Sequence, residues 1–180
     1  KMFKINDVSY KTKEIKENFS NINQKYFYKN EDLSMFGKYK NIIKQIITEL
    51  TYSQIEEYEK KYNLRPGMGL AFPQLGINER IIVVVYEYDD GKFEEYVVIN
   101  PKIISYSDEM IAADAGEGCL SVNRDVDGHV KRHARITVEG FDIDGNKIKI
   151  RAREELAIAF QHEVDHLNGI LFYDRIDKNK

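Results

Sequence analysis

Tryptophan is absent from this 180-residue sequence, cysteine occurs once and proline three times. A lone cysteine cannot close an internal disulfide, so Cys119 is an apolar filler, a reactive thiol or a metal ligand. No window approaches the roughly 20 consecutive apolar residues of a membrane-spanning helix. The Lys-studded start lacks the apolar segment of a secretory signal. A cytoplasmic protein without a membrane partner is therefore expected. An excess of positive charge is missing too: a net charge of -3 and a pI near 5.9 argue against direct nucleic-acid recognition. The first 64 residues hold 12 Lys against 9 acidic residues, which leaves -6 on the remaining 116, an asymmetry as mild as that of a solvated helix face. There is no internal repeat, low-complexity tract or Pro/Gly/Ser-rich linker. With 42% apolar and 32% charged residues, residues 1–180 are expected to form a single compact domain.

Apolar residues at Phe36, Tyr39, Ile43, Ile46 and Leu50 follow a three-four spacing that predicts a helix over 34–50. The pattern resumes at Ile55, Tyr58 and Tyr62 and stops at Arg65-Pro66-Gly67, where proline and glycine break helical bonding. The β-rich runs 81–88 and 96–100, joined through Asp90-Gly91, predict an antiparallel hairpin. Further strands are expected at 102–106, around Leu120, at 135–143 and at 147–151, the last two connected by Asp144-Gly145. From Glu154 to His166 the period is helical again, with Leu156, Phe160, Val164 and Leu167 on one face and Asn168-Gly169 as the stop. These elements predict an α+β fold: mixed or antiparallel strands packed around a C-terminal metal-binding helix, with an N-terminal helix.

That last helix carries His162-Glu163-Val164-Asp165-His166. Four positions apart, the imidazoles stack on one face, where a single metal ion can bridge them. Glu163 lies beside the first ligand and can flank the open position without coordinating, where a general base takes a proton from metal-bound water. The bland alternative is a pair of polar residues on an exposed helical face. A catalytic site needs a third protein ligand. A metzincin continuation would place histidine where Phe172 stands, and no glutamate follows His166 to serve a thermolysin-like site. Upstream, Glu117-Gly118-Cys119-Leu120-Ser121 offers a thiolate beside a glycine that admits close backbone approach, which completes a His2Cys set. Asp114 and Glu117 remain carboxylate alternatives, and His129 and His133 imidazole ones.

Three segments in this order resemble peptide deformylase: Gly67-Met68-Gly69-Leu70-Ala71-Phe72-Pro73-Gln74, then Glu117-Gly118-Cys119-Leu120-Ser121, then Gln161-His162-Glu163-Val164-Asp165-His166. The likeness runs from about Gly67 to Asp177, and Leu64-Arg65-Pro66 before it looks like the longer bacterial type II class. The resemblance implies an enzyme that removes the formyl group from N-formylmethionine on nascent polypeptides, releasing formate. By the same likeness Cys119, His162 and His166 hold the metal and Glu163 moves protons. The side chain of Gln74 and the backbone N–H of Leu120 hold the oxyanion. Gly67, Met68, Gly69 and Gly118 line the substrate channel, and Ile158 and Ala159 border the methionine pocket, although their spacing also fits ordinary core. Arg132 pairs with Glu117 and steadies the cysteine loop.

Ligand softness by itself favours zinc, whereas the family typically uses Fe²⁺. Iron is expected first, with Zn²⁺, Ni²⁺ or Co²⁺ able to substitute. Contact with the ribosome near the exit tunnel is plausible from such a substrate. Phe72, where the family usually has alanine, and the 123–125 loop depart from the pattern and bear on pocket width and the substrate rim.

Overall fold

A computed structural model describes residues 35–122 and 126–176, with side chains from Tyr39 onward. The elements are α1 (Met35–Ser53), α2 (Glu56–Tyr62), β1 (Gly69–Ala71), β2 (Ile81–Asp89), β3 (Lys92–Tyr106), β4 (Met110–Ile111), β5 (Arg132–His133), β6 (Arg135–Phe141), β7 (Lys147–Arg153) and α3 (Glu154–Leu167), with 3-10 turns at Phe72–Leu75 and Phe172–Arg175. Strands β1-β2-β3-β6-β7 form one sheet and β4-β5 a second. Every pairing among the described residues is antiparallel.

A helix covers each face of the sheet's β1–β3 side. The unbroken apolar run Ile81–Val85 reflects this: Ile82 and Val84 pack with Phe160 and Val164 of α3, whereas Ile81, Val83 and Val85 pack with Ile43, Ile46 and Leu50 of α1. A strand covered on both faces has no reason to alternate with polar residues. The Asp89–Lys92 hairpin and the β6–β7 turn form where expected.

Two expectations are corrected. Residues 102–106 belong to β3, which runs on through a register irregularity beside Asn100 and Pro101 rather than restarting. Gly140 faces that irregularity, and a Cβ there would lie 2.4 Å from a Val98 methyl and 2.8 Å from the Ile99 carbonyl. Around Leu120 there is a turn and no strand: the Val122 N–H bonds to the Cys119 carbonyl at 3.0 Å. The turn is what lets the thiol reach α3 instead of joining a ladder. Phe72 is fully buried on the α1 side, edge-to-face with Tyr39 at 5.4 Å, so it fills the core and leaves pocket width untouched. Residues 123–125 lie outside the described residues, as do residues 1–34 and 177–180.

Candidate metal centre

α3 is not a helix with one solvated face. Every residue from Leu156 to Leu167 is buried, because the sheet covers one side while β5 and the cysteine loop cover the other. Gln161 makes this second contact by imitating a strand: its Oε1 accepts the His133 N–H and its Nε2 donates to the His133 carbonyl, both at 2.9 Å. The two motif histidines are thereby held in the interior, which rules out the reading of exposed polar residues.

Their Nε2 atoms lie 3.1 Å apart, and the Cys119 Sγ is 3.2 Å from the His166 Nε2. All three donor atoms fall within 4.8 Å of one another, and no other such trio of potential ligands occurs among the described residues. Zn–N bonds of about 2.0–2.1 Å and a Zn–S bond of about 2.3 Å at tetrahedral angles put donors roughly 3.3–3.6 Å apart. Two of the observed spacings are slightly tighter and the third lies within 4.8 Å, so the residues fit one divalent ion with minor adjustment. The chemistry of the set agrees. Burial works against a thiolate, yet the imidazoles, His166 foremost, hold the Cys119 thiol well below its ordinary value. Burial likewise opposes charge on His162, yet Cys119 and Glu117 hold its pKa well above the usual. The two shifts are reciprocal: the thiolate and the imidazoles stabilise each other's charged forms, and a divalent cation would take the place of the imidazole protons.

The remaining alternatives fall away. His129 is exposed, with its Nδ1 3.1 Å from the Ala113 carbonyl. His133 has its Nδ1 2.7 Å from the Ser107 carbonyl and its ring stacked on Tyr106. Asp114 is exposed, and Glu117 is engaged elsewhere. Phe172, where a third histidine would stand in a metzincin, stacks on the ring of His162.

Glu117 sits behind the first histidine. Its Oε1 accepts from the His162 Nδ1 at 2.9 Å, which leaves Nε2 as the donor toward a metal. Arg132 meets the same carboxylate with two N–H groups, at 3.0 and 2.8 Å, as expected for this pair. Less expected is the other side of Arg132, which reaches Asp165 at 2.6 Å, while Arg175 meets Asp165 at 2.5 and 2.7 Å. Two carboxylates and two guanidiniums thus clamp the cysteine loop, α3 and the last 3-10 turn together. Burial would raise the Glu117 pKa, but His162 and Arg132 overcome it and bring it down to about 2.

Glu163 faces the other way, into a cavity of about 270 Å³. Its Oε2 is buried with no hydrogen-bond partner among the described residues, and burial, only partly offset by the histidines, raises its pKa to about 6. Gly69 lies against it: a Cβ there would be 2.8 Å from the Glu163 Cγ. Gln74 is buried in the Phe72–Leu75 turn. The Ala71 N–H donates to its Oε1 at 2.8 Å, which turns Nε2 toward the Ser121 hydroxyl at 2.8 Å and the Cys119 sulfur at 3.7 Å.

Gly67, Met68, Gly118, Leu120, Ile158 and Ala159 line the same cavity, so of the residues expected to bind metal, act on the formyl group or line the substrate channel only His166, set behind the others, does not. Glu155, which also lines the cavity, had no signal in the sequence, and neither did Ser53 and Gln54. The last two pin Gly67 from the end of α1: Ser53 Oγ accepts the Gly67 N–H at 3.1 Å, and Gln54 Nε2 bridges the Gly67 and Val85 carbonyls at 3.1 and 2.9 Å.

Two helix-borne imidazoles, a thiolate from a facing loop and a buried carboxylate beside the open side define a mononuclear metallohydrolase. The sequence profile of the family described as Polypeptide deformylase matches residues 17–180. Peptide deformylase of Oceanobacillus iheyensis is 49% identical over 138 residues, 77% of this chain and 75% of that one. Peptide deformylase 2 of Bacillus anthracis shows the same identity and coverage, in line with the type II pattern. Among solved structures, a plant peptide deformylase superposes with a TM-score of 0.66 at 29% identity, covering 98% of this chain and 84% of that one. The Acinetobacter baumannii enzyme gives 0.53 at 34% identity, covering 71% and 77%. The chain belongs to the peptide deformylase family, metal-dependent hydrolases that remove the formyl group from N-formylmethionine on nascent polypeptides.

Proposed function

We propose that residues 1–180 act as one catalytic domain in which Cys119, His162 and His166 hold a single Fe²⁺, and Glu163 carries protons during deformylation. The observation that carries this reading is the meeting of three converged donors with the unpartnered Glu163 oxygen in one cavity. A bound divalent ion supplies Lewis acidity toward the formyl carbonyl and eases deprotonation of water. Zn²⁺, Ni²⁺ or Co²⁺ would occupy the same donors. A purely structural site would take four protein ligands, and only three converge among the described residues.

The side chains divide the work. Glu163, with its pKa raised to about 6, is mostly ionised at neutral pH yet basic enough to accept a proton from water and return it to the leaving amine. The water oxygen joins the formyl carbon, the C–N bond breaks, and formate and a free amino terminus result. Gln74 Nε2 has one firm partner in Ser121, and its long contact with sulfur leaves the other hydrogen for the oxyanion; with the Leu120 N–H this makes two donors worth ~3–4 kcal/mol each.

Substrate binding follows from the edge of the sheet. The Met68 carbonyl accepts the Val85 N–H at 2.7 Å, so antiparallel alternation turns the N–H and C=O of Gly69 away from β2. Gly69 therefore presents an open edge to which an extended peptide adds as a further strand, with Gly67 and Met68 lining its path and its methionine side chain toward Gly118, Ile158 and Ala159. Nascent N-formylmethionyl chains in the cytoplasm are the substrate, met at the ribosome near its exit tunnel. The test is formate release from a short N-formylmethionyl peptide by protein purified without oxygen and supplied with Fe²⁺. Rapid formate is expected from the formylated peptide and no turnover of the unformylated one; cleavage of the unformylated peptide would make this a peptidase.

A further inference from the structure

α1 and its apolar partners cover the β2 and β3 side of one sheet face, but beyond Phe141 that face is polar. Along β7, Lys147, Lys149, Arg151 and Arg153 stand in one exposed column, about 6.8 Å apart as alternate residues of an extended strand. The register sets Glu139 opposite Lys149, Thr137 opposite Arg151 and Arg135 opposite Arg153. Lys147 and Lys149 share the Glu139 carboxylate at 3.9 and 3.5 Å, and Arg135 meets Glu109 at 2.6 Å. Among the described residues Arg151 and Arg153 meet no carboxylate. Five cations face two anions here, on a chain whose net charge is -3.

Charged residues on an edge strand commonly block unwanted strand pairing. That accounts for β7 alone; it does not account for Arg135 directly across from Arg153, since like charges so placed destabilise a sheet. Nor does it account for the groove of about 370 Å³ that these arginines line together with Ser105 and Thr137. At its end Tyr106, 62% exposed, stacks on His133 with ring centroids 4.6 Å apart. Forked guanidiniums and hydroxyls suit phosphate oxygens, and the exposed Tyr106 ring, backed by the half-buried His133, offers its free face to an unstacked base. The exposed apolar side chains nearby, Ile104 and Tyr106, stand along β3 and not among the β7 cations, so the cationic column itself offers nothing to insert into a membrane. Residues 1–34 carry 7 Lys against 5 acidic residues, the wrong sign to cover it.

We propose that the outer face of β6 and β7 binds the phosphodiester backbone of single-stranded RNA. This rests on the sheet and not on the metal site. The test is fluorescence anisotropy of a labelled oligouridine with the metal-loaded full chain across a salt series. Three to four phosphate contacts predict that log K falls against log salt with a slope of roughly -2 to -3. R151E/R153E should weaken binding at least about tenfold and flatten that slope toward zero, and R151Q/R153Q should do so in part. K60E/K61E on α2 should bind like the parent, and all variants should keep the parent's unfolding midpoint and formate release. Overturning results are no RNA binding by the parent, equal binding by R151E/R153E, or capture only by phosphatidylserine vesicles or polyglutamate, which would assign the face to a lipid or protein partner.

Discussion

Replacing Arg132 with methionine removes the cation that joins Glu117 to Asp165 while keeping most of its buried bulk. The two carboxylates left behind are 6% and 9% exposed, and breaking a buried ion pair from one side typically costs ~3–5 kcal/mol. Arg175 still faces Asp165 and His162 still faces Glu117, which places the expected loss at the lower end, about 3 kcal/mol. Linkage sets a ceiling on the Glu117 part of this: His162 and Arg132 together bring its pKa from 4.5 to about 2 on folding, a stabilisation of roughly 3 kcal/mol that the two share. Because the folded value is depressed, this contribution is complete above about pH 4.5 and is lost as pH falls toward about 2. Urea unfolding of the metal-loaded protein at neutral pH should move its midpoint down by roughly 1.5 M, taking a slope near 2 kcal/mol per M. Arg132→Lys should recover less than half, since one ammonium cannot span both carboxylates. Metal affinity should fall by roughly 10–100-fold as Glu117, the partner of His162, loses the guanidinium that fixes it. An unchanged midpoint in Arg132→Met, or a lysine variant equal to the parent, would refute the clamp.

Gly69→Ala drives a Cβ to 2.8 Å from the Glu163 side chain; kcat for formate release should fall at least about tenfold with metal content by elemental analysis unchanged, and an unaltered kcat would mean the carboxylate has room to spare. Gly140→Ala meets Val98 and the Ile99 carbonyl in the β3 irregularity, so thermal unfolding should report a loss of about 1–3 kcal/mol without any change in the KM of the surviving enzyme.

Helices and hairpins were legible because each repeats a short period: three-four spacing for α1 and α3, β-rich runs with Asp-Gly turns for β2–β3 and β6–β7. The converging trio of candidate donors was legible because two of them share one helical turn and the third is the lone cysteine. The loop around Leu120 misled because Leu-Ser-Val has strand propensity, whereas the placement of Cys119 against His166, 47 positions later, outweighs local preference. The same distance hid the burial of α3's polar face. Asp165 looks like a spacer between Val164 and His166, and its role appears only once the fold brings Arg132 and Arg175 to it. Net charge concealed the β7 column too, since an acidic total says nothing of how cations cluster.

The central claim is that Glu163 performs proton transfer at an ion held by Cys119, His162 and His166. Metal content and formate release measured on the same preparations of Glu163→Ala and Cys119→Ala test it most directly. Glu163→Ala should retain one ion per chain while formate release falls by about 10²–10⁴-fold, and Cys119→Ala should lose the ion itself. Full activity in Glu163→Ala with the ion in place would contradict the account.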